Sequence, residues 1–166
     1  MSRACALFWE TAPMKTFALA TALSLAALFG APAMTSAQDQ EPSSVRPKLV
    51  TVVTSPDPQT QAMALVLTLQ AMKQGAEARL LLCGPAGDLA LADAPAVATA
   101  PLKPKGATPQ GLLKAALASG AVAEVCALYL PNKGLPADAL LNGVGTAKPD
   151  AMAAHLMADN ARVLSF

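Results

Sequence analysis

An excess of charge of either sign is missing from this sequence: twelve Lys and Arg stand against eleven Asp and Glu, a formal net charge of +1. Neither sign runs in a block, so nothing builds the electrostatic surface that phosphate-backbone binding requires, and nucleic acid is not expected as a partner. Aromatic residues are equally scarce. Beyond residue 37 only Tyr129 and Phe166 are aromatic, which excludes stacking platforms for bases or sugars and leaves Ala, Leu, Val and Met to build the core. The single histidine, His155, with two cysteines would give three zinc ligands only if they converged, and no close ligand spacing brings them together. His155 reads instead as a core-edge side chain on a helix with Met152 and Leu156, and no metal is expected. Gly84-Pro-Ala-Gly87-Asp88 lacks both the dinucleotide fingerprint and the Lys-Ser/Thr of a phosphate loop. No nucleophile elbow or Ser-His-Asp order is legible, so hydrolase chemistry has no positive support.

A long apolar span is also lacking. Met14-Lys15-Thr16 is followed by an apolar run from Phe17 to Phe29, which Gly30 and Pro32 interrupt. A bilayer span needs about 20 consecutive apolar residues, so the run fits the positive and apolar regions of a cleavable signal peptide and not a permanent membrane anchor. Thr35 and Ala37 match the minus-three and minus-one positions of a cleavage site, with Ala31 and Ala33 as a second site. Glu10 and Trp9 precede this complete leader, which points to Met14 as the start codon. The expectation is an exported, periplasmic protein with a leader at 1–37 (signal peptide 14–37), a polar tether at 38–47 and one domain at 48–166. Removing Arg3, Lys15 and Glu10 with the leader leaves ten basic and ten acidic side chains and no net charge. Cys5 goes too, leaving Cys83 and Cys126 in a compartment where thiols can pair.

In the domain, Leu49-Val-Thr-Val-Val-Thr54 is β-branched and apolar on both faces, the pattern of a strand covered by helices on each side. Asp57-Pro58 predicts a helix start, and Ala62, Leu65, Val66, Leu69 and Met72 continue it to about Gln74, before Gly75. Arg79 to Cys83 reads as a second strand stopped by Gly84-Pro85. Gly84 to Ala107 is long for a structureless connection, with Val97 and Leu102 as its expected inward contacts. Thr108-Pro109 starts a second helix ending at Gly120, and Val122 to Leu130 is the next strand. Leu140-Leu141 fits one helical turn, Gly145 and Pro149 bracket another turn, Pro149 to Asp159 a last helix, and Arg162 to Phe166 a closing strand. Strands alternating with helices predict an α/β fold: a three-layer α/β/α sandwich around a mainly parallel four- to five-stranded sheet. Ligands of such sheets bind beyond the carboxyl ends of the strands, the rim that both Cys83 and Cys126 approach.

Three stretches together resemble the DsrE family of sulfur-relay proteins, which includes TusD-like sulfurtransferase subunits. Val53-Thr-Ser-Pro56-Asp-Pro-Gln-Thr60-Gln61 is similar to that family's opening strand and turn. Cys126, with Lys133 and Gly134 seven and eight residues later, is similar to its sulfur-carrying cysteine followed by a basic residue and glycine. Arg162-Val-Leu-Ser-Phe166 is similar to its closing strand. The resemblance implies a DsrE/YchN-like domain over residues 49 to 166 that assembles as a homo-oligomer. It further implies that Cys126 accepts sulfane sulfur as a persulfide from a donor protein and passes it to an acceptor, with no metal or organic cofactor. The thiolate is the attacking form, and Lys133 or a nearby helix amino end would favour it.

Two alternatives stand beside this reading. Ala127-Leu-Tyr-Leu130 is uniformly apolar, which would bury Cys126 within a strand as a small hydrophobe and leave a non-catalytic binding or assembly module. Cys83 has three candidate roles: resolving thiol, disulfide partner, or packing. With one strand between them the two α-carbons would be about 9 to 10 Å apart and unable to bridge, whereas adjacent strands would permit a disulfide. A thiol-disulfide redox protein is therefore the other alternative, although Cys-x-x-Cys is absent.

Overall fold

The computed structural model describes residues 45–166; the leader, with Cys5, and the tether through residue 44 lie outside the described residues. Strand β1 (Lys48–Val53) buries Leu49, Val50, Thr51 and Val53, so both of its faces are covered, as its uniform apolar character requires. Asp57 then caps helix α1 (Pro58–Lys73), its carboxylate accepting the Thr60 N–H at 2.7 Å, with Pro58 at the first helical position. Past the helix end, Gly75 takes φ +91°, a left-handed conformation that side chains resist. Strand β2 (Glu77–Leu82) follows and pairs in parallel with β1.

The segment after β2 is ordered. Gly84–Ala90 forms a 3-10 helix that buries Ala86, Leu89 and Ala90, and Ala96–Thr99 forms the short helix α2. Helix α3 (Pro109–Ala118) starts at Thr108, whose hydroxyl accepts the Gly111 N–H at 2.9 Å. From α3 the buried Gln110 amide donates to the Leu89 and Leu91 carbonyls, at 3.2 and 2.8 Å, and so ties the connection down. The expected inward contact at Val97 is not made: Val97 is 51% exposed and its neighbour Ala98 is buried instead, because in one helical turn adjacent residues face different ways. Leu102 is half-buried.

Strand β3 is only Val122–Val125, shorter than the expected run to Leu130. Residues 126–128 turn away, and Tyr129–Lys133 forms a short helix, α4, closed by Gly134 at φ +63°. The uniform apolarity of residues 127–130 therefore serves this turn and helix: Tyr129 and Leu130 are buried and Leu128 is 66% exposed. The turn expected at Leu140-Leu141 sits slightly earlier, at Ala137–Ala139, and Leu140 bridges to Leu91. What reads as a turn around Gly145 is the edge strand β4 (Val144–Thr146). Helix α5 (Pro149–Leu156) and strand β5 (Ala161–Ser165) complete the described chain.

All five strands are parallel, in the order β4-β3-β2-β1-β5. Right-handed crossovers explain how the helices divide between the faces. From β1 to β2 to β3 the chain steps in one direction, so α1 and α3 share one face, where Leu65 and Leu113 pack with Val53, Leu80, Leu82 and Val125. From β4 the chain returns past the others to β5, so α5 lies on the opposite face, where Met152 packs with Val50 and Ala147. The expected three-layer sandwich is present, with one well-filled interface and one sparse one. On the filled side Thr51 and Thr68 share a buried hydroxyl contact at 2.8 Å, and Thr68 also donates to the Ala64 carbonyl, so the buried hydroxyls are satisfied. Among the described residues no helix is long and apolar enough to cross a membrane.

Candidate functional site

The carboxyl ends of β2 and β3 place the two domain cysteines side by side. Leu82 and Val125 are the last registered pair of these adjacent strands, and Cys83 and Cys126 each follow by one residue. The ladder hydrogen bonds run on through them, Cys83 N–H to the Val53 carbonyl and Cys126 N–H to the Leu82 carbonyl, both at 2.9 Å. Side chains alternate along a strand, so both cysteines project opposite to the buried Leu82 and Val125. Both are free thiols and both are half-buried. Burial first, and then the adjoining Cys126 thiol, push the Cys83 thiol up to about 11.

The end of β3 decides how Cys126 is presented. Because the strand stops at Val125, Cys126 stands at its tip and not within it, and the Tyr129 N–H closes the turn onto the Cys126 carbonyl at 2.9 Å. A cavity of about 340 Å³ opens there, lined by Gly84, Cys126, Leu128, Tyr129, Asn132 and Lys133. Lys133 lines the same cavity as Cys126, a proximity the sequence does not show. Its ammonium, however, is held 2.7 Å from the Asp88 carboxylate and stands 5.7 Å from the centre of the Tyr129 ring. The helix after Cys126, α4, has only five residues.

Two residues that the sequence does not mark as functional hold this wall together. The Tyr129 hydroxyl donates to Asp88 at 2.6 Å. Burial raises the Asp88 carboxyl, but the Lys133 ammonium and the Tyr129 hydroxyl outweigh it and hold the group below its usual value. Burial, followed by the Asp88 carboxylate, raises the Tyr129 phenol well above its ordinary range. Gly87 makes the packing possible, because a Cβ there would collide with the Tyr129 ring. The available signal was Tyr129 itself: a tyrosine in an apolar run needs a partner for its hydroxyl.

His155 lies at the other end of the sheet. It lines a second cavity, of about 570 Å³, at the amino ends of β1 and β2 with Arg46, Lys48, Glu77 and Arg79. It is therefore not brought to the cysteines, and among the described residues no group of three or more His, Cys, Asp or Glu is placed to hold a metal ion.

No family model matches this sequence, and no curated protein matches it. Solved structures do match. The chain is similar to the ychN protein from E. coli at 22% identity and a TM-score of 0.55, over 74% of this chain and all of that one. It is also similar to MTH1491, a protein of unknown function from Methanobacterium thermoautotrophicum, at 11% identity and a TM-score of 0.53, over 72% of this chain and 98% of that one. With the parallel sheet and its strand order, these likenesses give the chain a YchN-like α/β fold, as the sequence resemblance implied.

Proposed function

We propose that this protein binds and relays sulfane sulfur, carrying it as a persulfide on Cys126 in the periplasm. The observation that carries this reading is the position of Cys126: a half-buried thiol at the tip of an interior parallel strand, opening into a cavity at the rim where such sheets hold ligands. The Cys126 thiolate attacks the outer sulfur of a donor persulfide or polysulfide. One sulfur-sulfur bond forms as the donor's breaks, and the donor leaves as a thiolate or, for a polysulfide, as a chain one sulfur shorter. An acceptor thiolate then takes the terminal sulfur, and Cys126 returns to its starting state. Donor and acceptor are proteins or small thiols outside the cytoplasm.

Self-association is part of the same proposal. Val163, Val50, Arg79 and Val122 are aligned in register across one sheet face, and at its ends Val163 and Val122 are 48% and 44% exposed. Light scattering of the purified domain reads the assembly directly.

Incubation with inorganic polysulfide followed by intact-mass measurement tests the carrier chemistry. The expected result is a reducible gain of about 32 Da, one sulfur atom, that is lost in Cys126→Ser. A folded, reduced protein that takes up no sulfur would instead favour a non-catalytic assembly module of the same fold.

A further inference from the structure

The neighbouring strand supplies Cys126 with a second thiol, which turnover of the carrier does not require. Adjacent parallel strands run about 4.8 Å apart, within the roughly 4.4–6.8 Å between α-carbons that a disulfide spans. Each cysteine follows the last registered pair, Leu82 and Val125, by one residue, and the Cys126 N–H still bonds across to the Leu82 carbonyl, so alternation sends the two to the same side. Gly84, at φ +53°, follows Cys83 and lines the Cys126 cavity. The residue after Cys83 therefore brings only backbone, and no side chain, to the Cys126 cavity.

We propose that Cys83 is a resolving thiol for the sulfur-loaded form of Cys126, converting a bound persulfide into an intramolecular Cys83–Cys126 disulfide with release of sulfide. The proposal rests on Cys126 being the persulfide carrier. In the step, the Cys83 sulfur, having lost its proton, attacks the inner sulfur, which is Cys126 Sγ. The bond between Cys126 Sγ and the outer sulfur breaks, and the outer sulfur leaves with the electron pair and takes up a proton as hydrosulfide. The sulfane sulfur is reduced by two electrons as the two cysteine sulfurs are jointly oxidised by two. The oxidant is the bound sulfur itself, and an external dithiol resets the pair.

Cys83 thereby limits the lifetime of the loaded state. When an acceptor thiol is present, sulfur is handed on; when none arrives, sulfide is released and the carrier is locked as a disulfide. The burial that holds Cys83 protonated makes it a slow nucleophile, and this leaves time for transfer.

The test uses reduced protein under nitrogen, loaded with inorganic tetrasulfide, desalted, and followed by intact mass and by assay of released sulfide. In the wild type the species heavier by about 32 Da should give way to one lighter than the reduced protein by about 2 Da, with one sulfide released per sulfur lost. Cys83→Ser and Cys83→Ala should load but hold the added sulfur at least tenfold longer, without sulfide release. Two substitutions are used because one could disturb the half-buried position; circular dichroism checks both. A wild-type persulfide that persists as long as in the Cys83 variants overturns the resolving role and leaves the carrier intact. Failure of the folded Cys83 variants to load at all overturns the carrier reading and this proposal with it.

Discussion

Lys133 and Cys126 line one cavity, yet the Lys133 ammonium is committed to Asp88, 2.7 Å away. The cation that would favour a thiolate is thus offset by the carboxylate that positions it. In Asp88→Asn the negative charge is gone and Lys133 is released towards the cavity. Site-resolved alkylation of Cys126 with iodoacetamide at pH 7 should then quicken by about two- to tenfold. An unchanged rate would mean that Lys133 does not act on the sulfur even when freed. Lys133→Met should slow the reaction in the Asp88→Asn background more than in the wild type.

The Gly87–Tyr129 contact sets the shape of the site. A methyl group at residue 87 meets the Tyr129 ring, and the ring is confined by the bond from its hydroxyl to Asp88. Gly87→Ala should therefore destabilise the domain by about 1–3 kcal/mol, the usual cost of overpacking. Urea denaturation should show a lower midpoint with an unchanged slope.

Cys83 should titrate late. With its thiol raised to about 11 by burial and by Cys126, its alkylation rate in the reduced protein should climb roughly 90-fold between pH 8 and pH 10. A thiol at the ordinary value of about 8.5 would gain only about fourfold over that range. Peptide mapping separates the two cysteines. Of the neighbouring groups, Asp88 is held low and the Tyr129 phenol is pushed up, both away from this range, so the steep rise belongs to the thiols. The same linkage affects stability. A pKa raised on folding contributes fully below the unfolded value and is lost as pH rises, so Cys83 should weaken the fold between about pH 8.5 and about pH 11.

Gln110 ties the Gly84–Ala90 segment to α3. It is 5% exposed and donates to two carbonyls of the connection. Gln110→Ala leaves those acceptors unpaired, which costs about 1–3 kcal/mol. Hydrogen exchange should accelerate between residues 84 and 92 more than in β1. An equal acceleration throughout the sheet would indicate global loss of stability.

Export is open to a simple check. The full chain, expressed in a bacterium with a periplasm, should be recovered there with Gln38 as its amino terminus, or Met34 if the alternative site is used. Recovery of uncleaved chain from the cytoplasm alone would remove the periplasmic assignment.

The frame of the domain was legible where local chemistry and packing agree. Asp57-Pro58 and Thr108-Pro109 fix helix starts because a side-chain oxygen takes an orphan N–H and proline presets φ. The β-branched run at 49–53 gives a buried strand in any sheet with helices on both faces. The run at 127–130 failed as a guide because apolarity does not distinguish a strand from one buried helical turn. Only the packing of Tyr129 under Gly87, with its hydroxyl on Asp88, favours the turn. Strand β4 went unread for the opposite reason. Val144-Gly145-Thr146 has little propensity of its own and becomes a strand because β3 offers it a free edge.

What the sequence alone determined is a parallel α/β domain with two thiols near the carboxyl ends of its strands, since hydrophobic period, caps and breakers act over a few residues. Whether those thiols could meet depended on strand order, a non-local property set by the handedness of the crossovers and by which faces must be covered. The tertiary structure placed β2 directly beside β3. It thereby set Cys83 next to Cys126, engaged Lys133 with Asp88, and sent His155 to the far end of the sheet. These relations join residues 40 or more positions apart, and nothing in the local chemistry of either partner records them.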